Sequence, residues 1–217
     1  YPAMENYKLD IVIGKGTSAK MLQIDLPRFT LIAATTKISM LSAPFRSRFG
    51  INFRLDFYTA KEIREIIKRS AELLGVAVES TALETIAAAS RCTPRVANRL
   101  LKRVRDYAQI KEHPVVTEKT ARESLGMLEI DEHGLEEVDR QILRTIAEKF
   151  NGGPVGIKSI AAAISEEEST LEDVYEPYLI QVGFLASTSI GRVITPHGYK
   201  HLGLPIKETL FYLVLNR

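Results

Sequence analysis

TLIAATTKISMLSAPFRSRFG, residues 30–50, is the stretch whose reading decides the fold. With Phe29 it opens as a dense β-branched and apolar run, 29–36, of the kind shown by a strand buried on both faces. The run ends in two small hydroxyl side chains, Thr35 and Thr36. A strand end of this sort can aim a hydroxyl at the carboxyl edge of an α/β sheet, where ligands bind, and a plain threonine cap is the competing reading. Arg46 and Arg48 stand beside Phe49-Gly50. There an aromatic ring can anchor a short loop while a guanidinium points outward; two merely solvated arginines are the alternative.

Upstream, KLDIVI (8–13) and MLQIDL (21–26) are short apolar-rich runs on either side of GKGTSAK (14–20), the pattern of a β-hairpin. GKGTSAK has the residue types of a phosphate-binding loop but not the spacing. Leu9 stands where the first glycine of GxxxxGK[ST] belongs, and a strand rather than a helix follows. Leu9, Ile11 and Ile13, with Leu22 and Ile24 across the turn, give the hairpin an apolar face that either packs on its own domain or meets a partner.

Downstream, helical spacing of apolar residues runs over 59–74 and 81–90, and Pro94 sits where the first turn of a helix tolerates proline, ahead of RVANRLLKRVRDYA. Three or four helices are expected as far as about Leu128. A second unit begins near Asp131: an amphipathic helix (135–150), a Gly152-Gly153-Pro154 stop, a short helix (157–164), a third helix (170–185) and a small hairpin, LAST and RVIT, around a glycine turn. Three helices and a hairpin is the order of a winged helix. Residues 205–217 form a tail with no clear pattern.

Composition narrows the class without naming it. Hydrophobic residues are 45% and charged residues 26%, as in ordinary globular proteins, and no run approaches a membrane span. One cysteine, Cys92, excludes an internal disulfide framework and fits a reducing, cytoplasmic setting. Residues 131–217 hold 8 Lys and Arg against 13 Asp and Glu, a net of −5, which leaves 21 against 14, a net of +7, for residues 1–130. The basic part is the better place for anionic partners. The chain opens on Tyr1-Pro2 and at once enters strand pattern, as a segment of a longer protein would.

The stretch 30–50 resembles the sensor 1 to arginine-finger segment of AAA+ ATPases, and with QIDLPRF before it resembles the RuvB family in particular. CTPRVANRLLKRVRDYA (92–108), NGGPVGIKSIAAAI (151–164) and EDVYEPYLIQVGFL (172–185) resemble the same family in the same order. The resemblance implies the end of an AAA+ P-loop NTPase core (1–54), a helical lid (55–130) and a winged-helix DNA-binding domain (131–204). It implies Arg48 as an arginine finger acting on a neighbouring subunit's ATP, Thr36 with Thr35 as sensor 1, and Arg95 as sensor 2. Tyr58, Glu5, Asn6 and Tyr7 match positions lining the nucleotide site, although the family more often has an acid where Asn6 stands.

The same resemblance implies a homo-hexameric ATP-driven motor for Holliday-junction branch migration, using ATP with Mg²⁺. Its partners would be duplex DNA, RuvA, docked on the hairpin face of Leu9, Ile11, Ile13, Leu22 and Ile24, and the RuvC resolvase. The P-loop and Mg²⁺-binding residues fall outside this sequence, so the chain alone is expected not to hydrolyse ATP. The expected recognition helix carries Glu172, Asp173 and Glu176 and no Lys or Arg, which disfavours base reading. The DNA contact is therefore expected at the wing, from Arg192 at a turn tip, while Ser187 stands where the family has a second basic residue. His197, Lys200 and His201 are read as surface residues. The rival readings are a sequence-specific winged-helix regulator, opposed by that acidic helix, and a clamp-loader or initiator subunit, opposed by the wing.

Overall fold

The computed structural model describes residues 1–14 and 20–206, and by its contacts the chain divides into two units, residues 1–56 and 57–217. The remainder of GKGTSAK (15–19) and most of the tail (207–217) lie outside the described residues.

The first unit holds a short helix α1 (Pro2–Asn6), the antiparallel hairpin β1 (Lys8–Ile13) and β2 (Lys20–Asp25), a 3₁₀ turn (Ile38–Met40) and the one-turn helix α2 (Ala43–Arg46). Register sets the faces of the hairpin. Leu9 pairs with Ile24 and Ile11 with Leu22, while Asp10 opposes Gln23 on the other side, where Gln23 also bonds Lys8 and Asp10 at 3.2 and 3.0 Å. The expectation of a buried strand at 29–36 is corrected here: the segment is irregular and exposed, Ile32 to 89%. Its apolar residues suit a sheet interior, and a strand forms only where neighbours complete its ladder; no other strand pairs with it among the described residues.

The second unit begins with four helices, α3 (Ala60–Leu73), α4 (Ser80–Ala88), α5 (Pro94–Ile110) and α6 (Glu118–Met127). Thr59 and Glu62 form a reciprocal capping box that starts α3, and Pro94 opens α5 at the position predicted. Ile63, Ile67, Ile86, Leu100, Leu101, Val104 and Leu125 close one core.

A second core lies in the winged helix. Its elements are α7 (Glu137–Lys149), α8 (Ile157–Ile164), α9 (Glu168–Thr170) continuing through a π-helical turn (Leu171–Tyr175) into α10 (Glu176–Gln181), strands β3 (Leu185–Thr188) and β4 (Gly191–Ile194), and α11 (Pro196–His201). Helix α11 escaped the sequence reading, because six residues give too short a period to register. Val155 adds a bridge to β4, with mutual N–H to carbonyl bonds to Arg192 of 3.0 and 2.8 Å. Gly153 (φ 96°) and Gly191 (φ 145°) allow that approach, since a Cβ at either would strike the facing backbone.

The lid and the winged helix meet at a polar joint. Arg91, in the left-handed region (φ 52°), donates from Nε to the Gly134 carbonyl at 2.8 Å and from Nη2 to Asp139, and its guanidinium lies 5.1 Å from the Tyr178 ring centre. Asp139 is fully buried and also caps α7 through the Glu136 N–H at 2.8 Å. Burial pushes its carboxyl up from the ordinary carboxylate range, while Arg91 and that N–H pull it back down. Tyr178 donates to the His133 carbonyl at 2.6 Å, and burial pushes its hydroxyl up to about 12.

Removing one partner of a buried ion pair strands the other, so Asp139→Ala should cost about 3–5 kcal/mol of stability by chemical denaturation. In Arg91→Ala only the Glu136 N–H still opposes the burial shift, and the native pKa of Asp139 rises further above its unfolded value. The native state then binds the proton more tightly than the unfolded chain. The Asp139 contribution to that variant's stability should be greatest below about pH 4 and be lost as pH rises through the raised pKa, opposite in sign to that of an ordinary paired carboxylate, measured as the difference in Tm between variant and wild type against pH.

Candidate functional site

Thr35 and Thr36 stand exposed at the end of the 29–36 segment, and Thr35 Oγ1 accepts the Lys37 N–H at 3.0 Å, closing a small turn. Ser42 then caps α2, and Phe45 and Phe49 pack edge to face at 5.3 Å, the aromatic anchor expected beside the two arginines.

Arg48 does not project outward as the sequence suggested. Its Nη2 pairs with Glu5 at 2.5 Å, its Nη1 donates to the Pro44 carbonyl at 2.5 Å, and the guanidinium lies 4.2 Å over the Tyr1 ring. A carboxylate and an aromatic face compete well with water for a weakly hydrated planar cation, so the side chain folds back on its own unit. Two expected site residues, Glu5 and Arg48, are thereby brought together. Asn6 ends α1, and Tyr7 follows in the left-handed region (φ 53°) with its ring edge-on to Phe29 at 5.9 Å.

In the second unit, Tyr58 is exposed and immediately precedes the Thr59 cap of α3. Arg95 is exposed at the start of α5 and lines a hollow of about 500 Å³ that runs along the helix past Asn98, Arg99 and Lys102 to Arg103, Arg105 and Asp106, the last pairing with both of those arginines. A basic, open helix start of this kind fits an anionic phosphate chain. Among the described residues no group of three or more His, Cys, Asp or Glu is placed to hold a metal ion. The hairpin residues Leu9, Ile11, Ile13, Leu22 and Ile24 are all exposed, between 38% and 55%.

At the wing, Arg192 is corrected from the turn tip to the second residue of β4, opposite Ser187. Its guanidinium turns back onto the helix and pairs with Glu176. His201 is likewise not a surface residue: Nε2 lies 3.0 Å from Asp131 and the ring stacks on Phe184 at 4.6 Å. Sequence reasoning missed Arg91, whose one signal was its place four residues before Arg95.

Four helices with a basic helix start, joined to a winged helix, have the arrangement of an AAA+ lid followed by a winged-helix domain. Family models agree along the chain: the Holliday junction DNA helicase RuvB P-loop domain over 1–55, the RuvB AAA lid domain over 58–131 and the RuvB C-terminal winged helix domain over 132–203. The chain belongs to the RuvB family.

A protein of Dehalococcoides mccartyi (strain CBDB1), named Holliday junction branch migration complex subunit RuvB, is 58% identical over 208 residues, 96% of this chain and 60% of that protein. The solved Thermotoga maritima RuvB branch migration motor is 50% identical, with a TM-score of 0.74 over 77% of this chain and 56% of that one. A mutant of the same protein reaches a TM-score of 0.81 at 46% identity, over 94% and 64%. The chain thus spans about 60% of the length of its curated relative. The Thermotoga structures include variants at an alanine, a threonine, an arginine and a proline whose successive spacings are 2, 12 and 46 residues, and these are the spacings of Ala34, Thr36, Arg48 and Pro94 here. Ala34 is a position the sequence reading passed over.

Proposed function

We propose that this chain is part of the motor subunit of a RuvAB-type branch migration complex, an ATP-driven machine that moves Holliday junctions. The observation that carries the reading is the collinear match of three RuvB domains across residues 1–203. In this reading six subunits form a ring on duplex DNA in the cytoplasm, with RuvA seated on the hairpin and RuvC acting on the same junction. The exposed apolar face of Leu9, Ile11, Ile13, Leu22 and Ile24 supports the RuvA dock; the opposite face carries Lys8, Asp10, Gln23 and Asp25 and, towards the turn, the exposed pair Val12 and Met21.

For ATP, the assigned roles are sensing by Thr36 and Thr35, phosphate contact by Arg95, lining of the nucleotide site by Tyr58, Glu5, Asn6 and Tyr7, and stabilisation of the transferring phosphoryl oxygens by Arg48 of an adjacent subunit. Arg48 would leave Glu5 and Tyr1 to reach that neighbour. Mg²⁺ would offset phosphate charge, held by residues outside this sequence. No GxxxxGK[ST] loop occurs in the chain, so it should hydrolyse no ATP on its own. At the wing, Arg192 would touch phosphate without reading sequence.

Three outcomes are expected. Arg48→Ala in the full-length protein should cut turnover by about 10³-fold or more while ATP still binds. Mixed with subunits lacking only the P-loop lysine, it should give back part of the activity neither has alone; mixed rings that recover none would place Arg48 outside the trans role. Ile13→Asp should abolish RuvA binding in a pull-down yet leave the circular dichroism spectrum intact, and a merely unfolded variant would instead mean that the face packs internally. Arg192→Ala should weaken binding to all duplex sequences alike and flatten the dependence of log Kd on log salt by about one unit. A loss confined to one sequence would reveal base reading.

A further inference from the structure

Arg192 is already spoken for. Its Nε donates to Glu176 Oε1 at 3.0 Å and its Nη2 to Oε2 at 2.9 Å, a bidentate fork, and Glu172 Oε1 stands 3.7 Å from the same Nη2. The pair is largely shielded, the side chains 21% and 11% exposed. Nor can the arginine shift by moving its backbone, which is bonded through both N–H and carbonyl to Val155 and paired to Ser187. One guanidinium therefore faces two carboxylates, and the local charge where a phosphate would arrive is negative.

We infer that Glu176, with Glu172 beside it, competes with the DNA phosphate for Arg192 and sets how tightly the wing holds DNA. A phosphate has two ways in. It takes the remaining Nη1 edge beside the carboxylates, or it displaces Glu176 and leaves a shielded carboxylate without its partner. Both are weaker than a phosphate clasped by a free arginine. The helix that reads bases in other winged helices acts here on the wing, as a restraint. This rests on the reading that Arg192 contacts DNA.

The test uses this chain and a fluorescein-labelled duplex, with Kd read by anisotropy across a salt series. Glu176→Gln should tighten binding about three- to tenfold and steepen the salt dependence, with a smaller gain for Glu172→Gln, since a half-exposed charge is more screened. In an Arg192→Ala background the Glu176→Gln gain should vanish. Glu172 is exposed, so its variant keeps the question open to refutation even where Glu176→Gln perturbs folding, which circular dichroism reports. Unchanged or weaker binding in both folded variants would overturn the inference while leaving the wing contact standing. A gain that survives Arg192→Ala would also overturn it, in favour of general charge repulsion. If Arg192→Ala alone changes neither Kd nor slope, the wing contact itself fails and this inference with it.

Discussion

The lid and the winged helix are two separate cores, and the Arg91–Asp139 pair is what ties them. An aspartate with no exposure, capping a helix and facing a guanidinium from another domain, tolerates little separation, because parting the pair leaves a buried charge unmet. The surrounding contacts follow from it. Gly134 sits against the Ala89 carbonyl with no room for a Cβ, the Tyr178 ring lies under the guanidinium, and Arg99 reaches Glu136 at 3.3 Å. Arg91 leads directly into Pro94 and Arg95, so the segment that carries the basic helix start also carries the joint.

Most of the helices were legible because each buries one stripe of a periodic pattern. Ile63, Ile67 and Ala71 recur on α3, and Leu100, Leu101, Val104 and Ala108 on α5, at the spacing that a helix turned to a core requires. The hairpins were legible for the analogous reason, alternation bounded by glycine. The 29–36 run misled for a physical reason: periodicity reports what a segment is suited to bury, and a strand also needs neighbours to complete its ladder.

The candidate site was legible as residue types and spacings, less so as orientation. Arg48 and Arg192 were both expected to point away from the protein, and each is captured by a carboxylate from its own unit, Glu5 or Glu176. Glu5 lies 43 positions from Arg48, and Glu176 lies 16 from Arg192 across a chain reversal. No local pattern encodes such pairs. His201 and Asp131 make the same point at a distance of 70 residues.

The π-helical turn at Leu171–Tyr175 carries an evolutionary implication. Such a turn accommodates one residue more than an α-helix of the same rise, which makes it the mark of a single-residue insertion tolerated inside a helix. A homologue one residue shorter there would regain a continuous α-helix and keep Tyr178 and Leu179 in the core. Everything upstream on that helix would rotate by roughly 100°. Glu172 would swing out of reach of the wing, and length variation at this one turn would retune the charge around Arg192 without any substitution.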